Sequence, residues 1–417
     1  MKKWIAGILC AVGLFLVACS GSDGQMEDGV YEPEIELDYY TDYDEHPNAR
    51  FLEDVDYLFY ILENNFPLFN AAERSLGIDV AEIKATTRFT IENVTTINDT
   101  HFQQRLQNLF FSHFNSFGHL FMIDDNLFHS FLQPHGLQPW MEILDNPASH
   151  HFYGDPPPRH QGQGGMGIFY NPDNVLTETL GEGRIAYIAI RTFWHENINP
   201  DSDIILEFLQ SVAHYNHLIL DIRGNGGGSS TYWTHIIMPL LLNQPVTAYF
   251  YNFTMDGQHL RRFYSDTSPD FADFTPVYDG LLEGFPLLHP DDAGLFEYYF
   301  RLAIPIEPHP EFAVGFNGKI WLLVDEYNFS AAETATQITQ QTNFATIVGV
   351  STGGGGGRTP IVAVMPNSGI AVYFQAVYGI DHLGRNGYEF SAQPDIFNRD
   401  GMDALATVLA IIEEGDY

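Results

Sequence analysis

The stretch His217-Leu-Ile-Leu-Asp-Ile-Arg-Gly-Asn-Gly-Gly-Gly228 decides the fold. His217 to Ile222 is a nearly unbroken apolar run, the pattern of a strand covered on both faces. It empties into a glycine loop, and a helix is expected from about Thr231 to Leu242. The same grammar recurs on either side. Arg184 to Ile190 reads as a strand, followed by a helix over Ser202 to Tyr215. Lys319 to Asp325 reads as a second buried strand, with Ser330 to Thr342 as its helix and Ala345 to Val350 as the next strand. Strands alternating with helices predict an α/β fold around a largely parallel sheet, with reactive groups at the carboxyl ends of strands. Thr359 to Met365 and Ile370 to Tyr378 flank a Pro366-Asn367-Ser368-Gly369 turn, and Leu405, Val408, Leu409 and Ile412 mark a closing helix.

Toward the N-terminus the period changes. Phe51, Val55, Leu58, Phe59 and Leu62 form a helical stripe, and Phe102, Leu106, Leu109, Phe110 and Phe114 form another that Asp99 or Thr100 could cap. A weaker helix around Val80 to Thr87 lies between them. Residues 50–117 therefore read as a small helical domain preceding an α/β domain over 184–417. Between the two, residues 118–183 read as a strand and a long irregular insertion, rich in Pro, Gly and His and including Pro156-Pro157-Pro158.

Residues 20–49 hold ten acids and no Lys or Arg, a composition that reads as a solvated tether. Before them, Lys2 and Lys3 precede an apolar run from Ile5 to Val17 that is short for a membrane span. The run ends in Leu16-Val17-Ala18-Cys19, which resembles a bacterial lipobox. That resemblance implies export, a lipoprotein signal peptide over 1–19 cleaved ahead of its cysteine, Cys19 lipidated as the mature N-terminus, and residence in the bacterial cell envelope outside the cytoplasm. An ordinary signal peptide containing Cys19 is the other reading.

Composition narrows the functional classes. Of 417 residues, 45% are hydrophobic and 17% charged, enough to build a large core. A formal charge of −36, which becomes −38 without the two lysines of residues 1–19, repels phosphate backbones and argues against nucleic acid as a partner. Two cysteines cannot make a disulfide scaffold. There is no His-Glu-x-x-His pattern, so neither metal nor cofactor is expected. With 54 acids, paired carboxylates carry no information about glycoside chemistry.

Ser330 opens a helix directly after a strand and a short turn. Ser330-Ala-Ala-Glu333 fits a capping box, in which Ser330 caps and Glu333 reaches back to the free amide. The same geometry also suits a nucleophile: the hydroxyl sits at the positive end of the helix, and the Ala331 amide can face a developing oxyanion. The loop Arg223 to Gly228 lacks the Lys-Ser/Thr of a phosphate-binding loop and the final glycine of a dinucleotide fingerprint. Its glycines still allow close backbone approach to a ligand, as a second oxyanion donor requires.

His217 to Gly228, together with Leu322-Leu-Val-Asp-Glu-Tyr-Asn-Phe-Ser-Ala-Ala-Glu333 and Ile347-Val-Gly-Val-Ser-Thr-Gly353, resembles the C-terminal-processing (tail-specific) and tricorn-type serine peptidases. Met365 to Gly369, Gln393-Pro-Asp395 and Gly401-Met-Asp403 continue the likeness in family order. The resemblance implies a crotonase-like or Clp-like core, a serine peptidase acting on peptides or unfolded proteins, Ser330 as nucleophile, and an oxyanion hole from Ala331 with Gly226 or Gly227.

Many members pair the serine with a lysine 25 residues later; here that position is Gly355, within the run Gly353 to Gly357. The chain has only Lys2, Lys3, Lys84 and Lys319. Lys2 and Lys3 fall in the expected signal peptide, Lys84 lies in the helical segment, and Lys319 begins a strand whose far end leads to Ser330 about 20 Å away at 3.3 Å per residue, so counting argues against a lysine base. The histidine branch of the family implies a base just after the N-terminal helices, where Ser116-Phe-Gly-His119-Leu120 stands. Leu120 replaces the usual Thr, and Gly118 replaces a serine. Glu389, one residue off the usual spacing, is then expected to orient His119, with Asp381 as the fallback. A base of this kind predicts activity appearing as pH rises through about 6.5, or higher with a carboxylate close by. The site could also be silent, leaving a binding protein on the same fold. No pattern for a peptide-binding PDZ module stands out in residues 120–183.

Overall fold

The computed structural model describes residues 46–95, 97–132, 143–154, 170–181, 183–260, 274–357 and 360–415. The expected signal peptide, Cys19 and most of the expected tether lie outside these residues. The tether is shorter than expected at its end. Asn48 is buried, and its Nδ2 donates to the carbonyls of Ile91 at 2.9 Å and Val94 at 2.7 Å, so the folded body begins before residue 50.

Four helices open the body: α1 (Ala49–Asn65), α2 (Phe69–Leu76), α3 (Val80–Glu92) and α4 (Asp99–Leu109), the last continued by a π turn over Phe110–Phe114. The cap of α4 is Asn98, whose Oδ1 accepts the His101 amide at 2.9 Å, and neither Asp99 nor Thr100 takes that role. The stripe of α1 is buried as its spacing predicts. It does not close a core of its own, however. Phe51, Phe59 and Phe66 belong to one apolar cluster with Ile361, Val372, Phe374 and Tyr378. The helical segment and the later strands thus share one interior, and the described residues belong to one compact unit.

After β1 (Phe121–Met122) come α5 (Asp125–Phe131) and α6 (Pro147–Tyr153). The expected insertion is not wholly irregular: β2 (Val175–Leu180) pairs antiparallel with β3 (Ile185–Ile190). Next follow α7 (Ile198–Val212), β4 (His217–Asp221), the helix expected over Thr231 to Leu242, which is π-wound at Tyr232–Ile237 and α at Met238–Leu241, then β5 (Val246–Thr254), β6 (Thr275–Pro276), a short helical turn at Pro290–Ala293 and β7 (Tyr298–Ile306). The remaining elements are β8 (Lys319–Val324), α8 (Ala331–Thr342), β9 (Thr346–Gly349), β10 (Ile361–Val364), β11 (Ala371–Phe374), β12 (Tyr378–Ile380), β13 (Ile396–Phe397) and α9 (Ala404–Glu414).

The central sheet has six strands in the order β13-β9-β8-β4-β3-β2, parallel except for β2. All five residues of β4 are buried between β3 and β8, as the apolar run from His217 requires. On one face, Ile219, Trp321, Leu323 and Val348 pack against Val408, Ile411 and Ile412 of α9. Two antiparallel sheets, β1-β11-β10 and β12-β5-β7-β6, complete the body. The first carries the segment that follows α4 toward the carboxyl ends of β4 and β8.

Candidate active site

The loops leaving β4 and β8 are latched by two asparagines. Asn328 Nδ2 donates to the Ile222 carbonyl, while Asn328 Oδ1 accepts the Asp325 amide at 2.7 Å. Asn225 Nδ2 donates to the Ile190 carbonyl at 3.1 Å, and the Asn225 carbonyl accepts the Phe329 amide at 3.3 Å. Each asparagine is fully buried, and each replaces with side-chain bonds the ladder that ends at the strand tip. The result is a fixed turn that presents Ser330.

Ser330 has φ 57° and ψ −115°, a backbone conformation unusual for a residue with a Cβ. Its amide donates to the Gly354 carbonyl at 3.1 Å. Its hydroxyl does not cap α8. Glu333 does not reach back either: its carboxyl meets the Ala392 amide and Gln337 Nε2, both at 2.9 Å, and Thr352 Oγ1. The capping box is therefore not formed, and the serine oxygen instead lies 3.0 Å from His119 Nε2.

His119 arrives from the other side of the sequence. Asn115, Ser116, Gly118 and His119 all have positive φ, coiling the chain sharply out of α4. Only glycine fits at 118, since a Cβ there would stand 2.5 Å from the Phe66 ring. The Gly118 carbonyl accepts the Gln375 amide at 2.7 Å, which ties this coil to the end of β11. The imidazole is buried beside Phe329, Tyr373 and Tyr388, at ring distances of 4.9, 6.4 and 5.8 Å. Burial without an ionised partner lowers its pKa to about 4.

The structure does not bring Glu389 to that ring. Both Glu389 carboxylate oxygens are held by Arg74 at 2.8 Å, and Arg74 also grips the buried Asp292. Asp381 is committed as well: its carboxylate takes the Arg385 guanidinium at 2.7 Å and the amides of Leu383 and Arg385. The group at His119 Nδ1 is the phenol of Tyr388. Sequence reading missed Tyr388, although it is the immediate neighbour of Glu389 and the expected acid was already one residue out of step.

The expected oxyanion donors separate likewise. The Ala331 amide opens α8 and has no carbonyl a turn back to receive it. The Gly227 amide is taken by Asn225 Oδ1 at 2.9 Å and is not available to a substrate. Gly227 instead provides clearance, because a Cβ there would lie 2.7 Å from the Phe329 carbonyl oxygen and 2.9 Å from the Ala331 nitrogen. For the exposed Gly226 amide no acceptor is found among the described residues, which leaves it as the second candidate.

Among the described residues no lysine reaches the site. Lys84 pairs with Glu63 at 2.6 Å, and Lys319 lies over the Trp321 ring at the far end of β8. Position 355 could not hold a side chain in this geometry, because a Cβ on Gly355 would come within 2.8 Å of the Ser330 nitrogen. Bare backbone packs directly beneath the serine.

A strained serine at a strand-to-helix turn, with a histidine nitrogen at hydrogen-bond distance and helix-terminal amides alongside, defines the class of serine hydrolases. The model of peptidase family S41 matches residues 184–396, half of the chain, and the protein belongs to that family. The fold resembles a putative peptidase from Parabacteroides merdae, with a TM-score of 0.51 at 17% identity over 89% of this chain and 96% of that one. It also resembles mature CPAF complexed with lactacystin, with a TM-score of 0.56 at 14% identity over 88% of this chain and 99% of that one. At these identities the likeness is one of fold. No curated protein matches the chain.

Proposed function

We propose that the protein is an extracytoplasmic, lipid-anchored serine peptidase that cleaves peptides or unfolded proteins, with Ser330 as nucleophile and His119 as general base. The observation that carries this reading is the 3.0 Å approach of His119 Nε2 to a serine oxygen released from its helix-capping role. Ser330 Oγ attacks the scissile carbonyl carbon while its proton passes to Nε2. The oxyanion that forms is stabilised by the amides of Ala331 and Gly226 at the positive end of α8. Nε2 returns the proton to the leaving amine, and the acyl group stays on Ser330. Water then attacks the ester, Nε2 takes its proton, and the collapse restores the serine hydroxyl and releases a carboxylate product.

The test is fluorophosphonate labelling with adduct mapping, together with casein cleavage. Ser330 is expected to carry the adduct, and Ser330→Ala and His119→Ala are each expected to lose at least about 10³-fold in kcat. Casein cleavage that survives in Ser330→Ala removes the assignment.

The anchor rests on Leu16 to Cys19 alone. Expressed in a bacterium and fractionated, the wild type is expected with the membrane and Cys19→Ala in the soluble fraction. Equal release of both would count against lipidation.

A further inference from the structure

An imidazole that serves as base needs its second nitrogen held, because a ring free to turn or to change tautomer presents the wrong atom to the serine. Among the described residues no carboxylate performs that task. The expected acid, Glu389, is spent on Arg74, and Asp381 on Arg385. Nδ1 meets the phenol oxygen of Tyr388 instead. The phenol is itself held: the Tyr388 amide donates to Asn386 Oδ1 at 2.9 Å, its ring packs 5.5 Å from Phe117 and 6.2 Å from Phe329, and the Gln375 side chain hydrogen-bonds it. Gln375 is anchored in turn through Nε2 on the Gly356 carbonyl at 3.1 Å.

Two proton arrangements satisfy the Nδ1–phenol contact. Tyr388 could donate into Nδ1, which would leave Nε2–H pointing at the serine oxygen. Alternatively Nδ1–H donates to the phenol oxygen, the phenol's own proton turns to the Gln375 side chain that it hydrogen-bonds, and the Nε2 lone pair faces the serine hydroxyl. Only the second lets Ser330 give up its proton.

We propose that Tyr388 is the positioning residue for His119, taking the place of an acid by accepting Nδ1–H and so fixing the base-competent tautomer. This rests on the reading of Ser330 and His119 as a working pair. The groups around the ring among the described residues are Ser330, Phe329, Tyr373 and Tyr388, none of them charged at neutral pH. The imidazolium formed in the transition state is therefore balanced by the oxyanion and not by a buried carboxylate. Tyr388 stays neutral throughout, since burial raises its pKa far above the ordinary tyrosine range.

The experiment uses the full chain labelled with ¹⁵N-histidine, with the His119 signals identified by their loss in His119→Gln. The wild type is expected to show the proton on Nδ1 and a pyridine-like Nε2. Tyr388→Phe keeps the ring packing and removes only the oxygen. It is expected to shift His119 toward the Nε2–H tautomer and to lower kcat roughly tenfold or more with KM nearly unchanged, within the range general acid–base catalysis supplies. Glu389→Gln is expected to leave the His119 tautomer as in the wild type. A wild-type ring protonated on Nε2, or a Tyr388→Phe protein with unchanged tautomer and kcat, overturns the proposal. If Ser330→Ala still cleaved casein, the peptidase assignment would fall separately, because the nitrogen shifts report on the ring and not on turnover.

Discussion

Ser330 and His119 both hold positive φ, the strained state that side chains with a Cβ seldom adopt. For Ser330 the strain turns the hydroxyl away from the amides of α8 and toward the imidazole. For His119 it lets a five-residue coil carry the ring from the helices to the sheet. The protonation behaviour of this ring departs from the sequence expectation, because that expectation included a carboxylate. A buried imidazole without a negative partner resists protonation, and its pKa falls to about 4 rather than rising above 6.5. On the proposed mechanism the imidazole must be neutral to accept a proton, so activity is expected to be lost as pH falls through the lowered value. The acid limb of kcat/KM is therefore expected well below pH 6. A pH–rate profile on casein-derived peptides checks this, and a limb centred at or above 6.5 would show a charged partner at the ring.

At the scale of the element, α8 depends on Glu333, though not as a cap. This fully buried carboxyl ties the first turn of the helix to Thr352 and Ala392 on the following segments, and burial raises its pKa to about 7. When protonated on Oε2 it can donate to Thr352 Oγ1, whose own proton reaches the Ala392 carbonyl at 3.2 Å. A folded pKa above the unfolded value means that the stability it contributes is full below about pH 4.5 and is lost as pH rises through about 7. Glu333→Gln, which does not titrate, is expected to gain stability relative to wild type across that window. Thermal melts of both proteins from pH 5 to 8 check the difference, in which the common His119 titration cancels. A pH-independent gap between the two melting curves would mean that Glu333 is ionised throughout.

Across the whole molecule, the helices and the peptidase core are joined by charge as well as by the shared apolar interior. Arg74 of α2 bridges Glu389 and Asp292, and the Tyr378 hydroxyl donates to Asp292 at 2.8 Å. Asp54 of α1 likewise accepts the amides of Asn367 and Ser368 at 2.9 and 2.8 Å in the turn between β10 and β11. Removing one partner of a buried ion cluster leaves an uncompensated charge. Arg74→Ala is therefore expected to cost about 3–5 kcal/mol in urea unfolding, with Asp292 the stranded group. Because Glu389 sits beside Tyr388 in the chain, the same cluster also anchors the segment that holds the phenol. A loss below 1 kcal/mol would show that the cluster is solvated in solution.

The parallel core was legible because its signals are local: apolar runs, a glycine loop and a serine opening a helix each announce themselves within a few residues. The exclusion of a lysine base was legible for a simpler reason, since four lysines can be counted. Ser330 stood out by opening a helix after a strand, and the family resemblance implied it as nucleophile and His119 as base, but their approach across 211 residues of chain belongs to the tertiary structure. What the sequence could not decide was competition. Glu389, Asp381, Gly227 and Glu333 each had the right chemistry for an assigned task. Arg74, Arg385, Asn225 and Thr352, at distances from two to more than three hundred residues away, claimed them for others. Carboxylates and amides form short-range bonds with whichever partner the packing brings first. Only the folded chain shows that the partner of His119 Nδ1 is a tyrosine.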